Sequence, residues 1–235
     1  MVGGMRGAGR LFMDVLFPGR CLLCGEWLLP DAEARAPLCA ACRVSLHPLD
    51  GATCARCGLG LISERGVCTR CRDADFVFES SASLFPYAGN ARRLMNAFKF
   101  EGRLRLASFF ADHAAAFLES VDVPIVPVPA RPGRRTPDPV ERVAHQLIVD
   151  HGFRALRLLE RTGGAPQKSL DLPQRRANLL GRIRLSGGAR REGIPSRVIL
   201  LDDVFTTGAT LDACARVLIG AGCSAVRCLT LVIEE

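Results

Sequence analysis

Past residue 75 the chain alternates between short, continuous apolar runs and segments whose apolar residues recur at helical spacing. Residues 76–85 are apolar and β-like and break at Pro86. Residues 90–100 place Ala91, Leu94, Met95 and Phe98 on one face of a helix. Residues 104–118 predict a second helix, 123–128 a short buried strand flanked by Pro124 and Pro129, and 140–149 a third helix. Residues 155–159 fit strand or helix. Residues 163–178 have no apolar period and contain Pro166 and Pro173, which reads as a long loop; 186–196 form a second polar, Gly/Arg-rich stretch. A strand at 198–201, a helix at 211–221 and a final strand at 225–233 complete the pattern. Strands alternating with helices predict an α/β fold with a parallel sheet. Ligands of such sheets bind at the carboxyl ends of the strands, which puts the end of the 123–128 strand and the end of the 198–201 strand on one edge.

That second strand end carries the chain's sharpest chemical signal. Four apolar residues lead into Asp202-Asp203, followed by Val204-Phe205-Thr206-Thr207-Gly208-Ala209-Thr210 and a helix. A hydroxyl-rich turn at a helix N-terminus attracts phosphate. The two carboxylates suit the other half of a sugar phosphate, accepting hydrogen bonds from ribose hydroxyls directly or near a bound Mg²⁺. As a purely structural device the same run would be a buried strand with Thr210 capping the next helix, but an acidic pair at a strand end is costly without a ligand. The Gly-Lys-Ser/Thr ending of a Walker loop is missing. The stretch closely resembles the 5-phosphoribosyl-1-pyrophosphate (PRPP) motif of type I phosphoribosyltransferases.

Before residue 76 the pattern is set by cysteine. Cys21/Cys24, Cys39/Cys42, Cys54/Cys57 and Cys68/Cys71 are four Cys-x-x-Cys pairs. This spacing lets two thiolates of one knuckle reach the same zinc, and two knuckles complete a tetrahedral site. A redox reading would need one such pair beside a βαβ pattern, and none of these has one. Gly25 and Gly58 follow the first and third pairs, Arg43 and Arg72 the second and fourth, so the segment reads as a two-fold repeat. The repeat favours sequential sites, with Cys21, Cys24, Cys39 and Cys42 around one Zn²⁺ and Cys54, Cys57, Cys68 and Cys71 around another. The alternative is a cross-braced arrangement joining the first pair to the third. With all four thiolates engaged no ligand position is open, so both zincs are structural. Such ribbons serve as contacts for nucleic acid or protein, or simply as docking modules. Trp27 and Leu28-Leu29 are expected to pack internally or on the main domain, and Cys214, Cys223 and Cys228 to be buried small hydrophobes.

Composition adds limits. The 235 residues suffice for one sizeable core and a small module. The formal charge of +7 is almost all arginine, since Lys99 and Lys168 are the only lysines. It permits contact with nucleic acid or phosphorylated ligands. The apolar piece at 11–17, expected to be a short amphipathic helix, contains Asp14 and ends at Pro18, unlike a secretion signal. No run of eighteen apolar residues exists, so no membrane insertion and a cytoplasmic location are expected. The expected organisation is a leader helix at 1–18, a double zinc ribbon at 19–75 and an α/β domain at 76–235.

Further segments fall into one series: the ribbons, Tyr87-Ala-Gly, Leu94 to Lys99-Phe100 with Gly102, Val126-Pro-Val-Pro129, Arg161-Thr162 with Gln167 and Leu170, Arg175 to Asn178, and the acidic loop. Over about residues 11–233 this resembles the ComF family, which includes GntX-like proteins and joins a double zinc ribbon to a type I phosphoribosyltransferase domain, a Rossmann-like parallel sheet. The resemblance implies binding of PRPP with Mg²⁺. Asp202 and Asp203 would hold the ribose hydroxyls, and Val204 with Thr206, Thr207, Gly208, Ala209 and Thr210 would form the loop around the 5-phosphate. Arg131, Arg134 and Arg135 would contact pyrophosphate, and 163–178 would close over PRPP with Lys168, Arg175 and Arg176 neutralising the leaving group. The family's usual Arg-Arg-Gly-Phe-Asn-Gln after Val-Pro-Val-Pro is replaced here by Arg135-Thr-Pro-Asp-Pro139, which removes an amide pair suited to an acceptor. The implied activity is phosphoribosyl transfer to an unnamed acceptor. The alternative is a non-catalytic accessory role in DNA uptake, with single-stranded DNA or a protein as partner. No general base stands out: His113, His145 and His151 fall on helices or helix ends, and His47 lies in the ribbon module.

Overall fold

Burial on both faces makes a strand a continuous apolar run, and the two longest such runs form the centre of the sheet. β5 (Arg197–Phe205) and β6 (Ala225–Ile233) pair in parallel over most of their length. β1 (Ser80–Pro86) flanks β6, and β2 (Ile125–Pro127) flanks β5, giving a parallel sheet of order β1-β6-β5-β2. The computed structural model describes residues 19–28, 36–49, 51–118, 122–133, 137–163 and 181–234. The expected helix at 11–17 lies outside them, as does all of the expected loop at 163–178 except Gly163.

Side chains alternate across the sheet, so each strand feeds two cores. Ile199, Leu201, Leu229 and Leu231 face one side, where they meet α3 (Gly89–Phe100), α4 (Leu106–Leu118) and α5 (Pro139–His151). Val198, Leu200, Val226 and Cys228 face the other, where α7 (Ala209–Gly220) covers them. A small antiparallel hairpin of β3 (Leu159–Arg161) and β4 (Ile183–Leu185) adds Leu159 and Ile183 to that second core.

The cysteine segment is built into both cores. Cys21, Leu23, Leu38 and Leu46 join the first, with the short helix α1 (Ala40–Val44) between them; Cys54, Cys57, Cys68 and Cys71 join the second, where α2 (Thr69–Arg72) starts after Cys68. This segment also covers an open edge. The Ser81 amide donates to the Arg56 carbonyl at 2.8 Å, and the Leu49 amide to the Leu84 carbonyl at 3.1 Å, so donors and acceptors of edge strand β1 are engaged.

Several expectations need correction. β5 does not stop before the acidic pair: pairing of Asp202 with Thr230 and of Phe205 with Ile233 carries it four residues beyond Leu201. The following helix starts at Ala209, and its N-cap is Gly208 rather than Thr210. Pro86 ends β1 from within, which costs nothing because an edge strand needs no donor there. The polar stretch 186–196 holds a one-and-a-half-turn helix, α6 (Gly187–Glu192), capped by the Ser186 hydroxyl accepting from the Gly188 amide at 3.1 Å. Trp27 is 57% exposed, with the Arg20 guanidinium 4.1 Å over its ring.

Candidate functional site

The eight paired cysteines fall into two sets, Cys21/Cys24/Cys39/Cys42 and Cys54/Cys57/Cys68/Cys71, and within each set all sulfurs lie within 4.8 Å of one another. The grouping is sequential. A tetrahedral zinc with Zn–S bonds of about 2.3 Å has S–S edges of about 3.8 Å; the Sγ atoms of Cys24 and Cys39, and of Cys57 and Cys68, stand 3.7 Å apart. One thiol of each set is drawn toward its thiolate form, while burial and the neighbouring thiolates push Cys42, Cys57 and Cys71 up. Burial opposes ionisation of Cys54, yet backbone N–H groups of Cys57, Cys68 and Arg56 draw its pKa down to about 6, and the same balance brings Cys21 to about 6. Geometry and donor chemistry fit two structural Zn²⁺ sites. The first lies nearer solvent, with Cys24 exposed, whereas all four cysteines of the second are buried.

At the carboxyl edge of the sheet a cavity of about 480 Å³ opens, a size typical of small-molecule sites. Strand alternation sends its two carboxylates to opposite faces. Asp203 follows Ile199 and Leu201 toward the helical layer, where Lys99 of α3 meets it, Nζ to Oδ2, at 2.7 Å. Asp202 follows Val198 and Leu200 toward α7, and its Oδ1 accepts from the Asp203 amide at 2.8 Å. Burial, reinforced by the neighbouring Asp203 charge, pushes the Asp202 carboxyl up to about 8; the Asp203 amide and Lys99 pull weakly the other way. Asp202 is thus held toward its protonated form, beside an Asp203 side chain that is paired with Lys99.

The turn after β5 is fixed by packing. Gly208 has φ +72°, and a Cβ there would stand 2.9 Å from the rings of Phe205 and Phe76. Thr206 and Thr210 line the cavity, and Thr207 Oγ1 accepts from the Ala209 amide at 3.4 Å. After β2 the chain passes through Val128 to Gly133 along the cavity wall, with Arg131 exposed on it. Asp138 lines the same cavity and caps α5 by accepting from the Glu141 amide at 3.1 Å, with Pro139 as the first helical residue. The substituted Pro-Asp-Pro is thus a helix start beside the cavity.

Comparison with known proteins was made against this geometry. The double zinc ribbon domain family matches residues 12–72. The chain is similar to the competence protein ComFC of Streptococcus pneumoniae (strain ATCC BAA-255 / R6), at 26% identity over 228 residues covering 91% of this chain and 99% of that protein. It is similar to the competence protein ComFC of Bacillus subtilis (strain 168) at 26% identity over 247 residues, covering 90% of this chain and 94% of that protein. The double zinc ribbon and the likeness to two ComFC proteins over about 90% of the chain support a ComF-family protein.

The sheet brings Asp202, Asp203, Val204, Thr206, Thr210 and Arg131 to one cavity. Thr207 is exposed at the turn, and Gly208 and Ala209 start α7 behind it. Arg134, Arg135, Lys168, Arg175 and Arg176 lie outside the described residues. Lys99 and Arg161 line the cavity too. Both stand in the series of segments that carries the family resemblance, which assigned neither of them a role in the site. The histidines lie elsewhere. His113 packs tilted against Phe85 and Phe109 and bonds the Phe109 carbonyl at 2.9 Å, while His151 meets Asp112 at 2.9 Å. Among the described residues no helix is long and apolar enough to cross a membrane.

Proposed function

We propose that this ComF-family chain binds PRPP in the cavity at the end of β5 and transfers its phosphoribosyl group to an acceptor. The supporting observation is the joint placement of the acidic pair, the Thr206–Thr210 turn and a cationic wall in one cavity of small-molecule size. The carboxylates of Asp202 and Asp203 accept hydrogen bonds from the ribose hydroxyls. Backbone N–H groups at the start of α7 and the threonine hydroxyls receive the 5-phosphate. An acceptor lone pair then forms a bond to the anomeric carbon, the bond from that carbon to pyrophosphate breaks, and its electron pair leaves with pyrophosphate. Arg131 stabilises that developing charge. Asp203 of the acidic pair is already held by Lys99, so any Mg²⁺ would accompany the ligand as counter-ion of its diphosphate. The zinc ribbons hold the domain's edge and take no part in the chemistry.

Titration of Mg²⁺-PRPP into the zinc-loaded protein by calorimetry tests this reading. Wild type binds, and an Asp202→Asn/Asp203→Asn variant with an unchanged fold loses affinity by on the order of 100-fold, the two hydrogen-bond acceptors for the ribose being removed. Absence of binding by folded wild type sinks it.

A second reading draws on the relatives, which are named competence proteins: an accessory role in competence in which the chain binds single-stranded nucleic acid. It is favoured by the exposed Trp27 with Arg20 over its ring, a ready stacking platform. The same preparation separates the readings. Acceptor-dependent pyrophosphate release identifies the enzyme. Salt-sensitive quenching of Trp27, the chain's single tryptophan, by single-stranded DNA without turnover identifies the accessory role.

A further inference from the structure

The arginines around the small hairpin sort into two kinds. Arg184 pairs with Glu160 at 2.6 Å, and Arg157 with Glu141 at 2.8 Å, so two of them spend their charge on neighbours. Arg161, the last residue of β3, does not. Its guanidinium is half-buried against the cavity and makes no hydrogen bond or ion pair with any described residue. Its backbone is held in place, since the next amide, Thr162, donates to the Arg182 carbonyl at 2.8 Å. Burial and the nearby Arg131 both pull its pKa down. Two guanidinium groups that line one cavity, one of them half-buried and without a hydrogen-bonding partner among the described residues, form a costly arrangement that an oxyanion relieves.

We propose that Arg161 is a binding residue for the pyrophosphate group of PRPP, acting with Arg131 from the β3 side of the cavity. This rests on the PRPP reading of the site. The loop at the start of α7 offers N–H groups and hydroxyls that suit a single phosphate, whereas two planar guanidinium groups suit the oxygen-rich diphosphate, which each can grip bidentately. The same charges become more valuable as the bond to the anomeric carbon breaks and its electron pair passes to pyrophosphate.

Calorimetry with two separate probes tests it on the full zinc-loaded chain: inorganic pyrophosphate with Mg²⁺, and ribose 5-phosphate. R161Q is expected to weaken pyrophosphate binding roughly 10- to 100-fold, the range for one lost charged hydrogen-bonding group. Its ribose 5-phosphate affinity stays within about twofold of wild type, and R161K recovers part of the pyrophosphate loss. Wild-type pyrophosphate affinity in R161Q overturns the proposal. Loss of both ligands together with a lowered thermal transition also overturns it, by showing a structural role. Failure of wild type itself to bind ribose 5-phosphate or PRPP overturns the underlying reading, an outcome distinct from either.

Discussion

Asp202 is where folding and ligand binding compete for one group. An aspartate in an unfolded chain has a pKa of about 3.9, while burial beside Asp203 pushes this one up to about 8. The folded state therefore holds a proton that the unfolded state has lost, and stability falls as pH rises from about 4 to about 8, then levels off. Asp202→Asn removes this dependence. Its thermal transition should match wild type near pH 5 and exceed it by on the order of 5 °C near pH 9. Thermal unfolding followed by circular dichroism at the two pH values checks this, and a difference that shrinks as pH rises has the wrong sign. Ligand affinity should run the other way: a neutral Asp202 is a poorer acceptor for hydroxyls, so PRPP binding strengthens across the range in which stability declines.

At the scale of elements the decisive contact is between the second ribbon and β1. Gly58 has φ +76°, and a Cβ on it would lie 2.7 Å from the Ser81 carbonyl oxygen and 2.9 Å from Ala82 Cα. Both obstacles are backbone, so neither can turn aside. Gly58→Ala should destabilise the protein by about 2–4 kcal/mol, combining backbone strain with forced separation of knuckle and strand. Gly25→Ala, at the equivalent place in the first ribbon with φ +78° and open space around it, should cost only the strain, about 1 kcal/mol. Urea unfolding of the two variants measures the difference; equal costs would show that the close approach does not matter. What the sequence made legible follows the same division. The apolar runs of β5 and β6, the helical period of α3 and the cysteine repeat each carry their own periodicity, so strands, helix and knuckles could be read directly. β4 could not, because Ile183-Arg-Leu185 is a three-residue edge strand with two exposed side chains. The length of β5 was underestimated because Asp202 and Asp203 are poor strand formers held extended by the ladder to β6. The acidic loop was legible as chemistry, whereas the roles of Lys99 and Arg161 come from packing: α3 crossing the sheet delivers one, a hairpin end the other.

For the whole molecule, the two zinc sites are chemically alike but differently integrated. The first set packs with Leu23, Leu38 and Leu46 at the margin of the larger core and leaves Cys24 exposed. The second set is buried with Phe78, Leu200 and Val226 under the sheet, and its Cys54 Sγ accepts from the Cys68 amide at 3.3 Å. Release of a structural metal requires its ligands to become accessible, so its rate reports the free energy of the opening that exposes them. A chelator should therefore remove zinc in two phases of one equivalent each. The fast phase leaves the parallel sheet intact, because the first site can open without disturbing β1. The slow phase should coincide with loss of far-ultraviolet circular dichroism and follow the global unfolding rate, because exposing Cys57 and Cys71 means separating the second ribbon from the core it shares with β5, β6 and α7. Zinc release read with a colorimetric chelator, alongside the dichroism signal, tests this. A single phase, or a slow phase that precedes unfolding, would mean that the second ribbon opens on its own. Coincidence would make the second zinc an integral part of the sheet that carries the acidic loop.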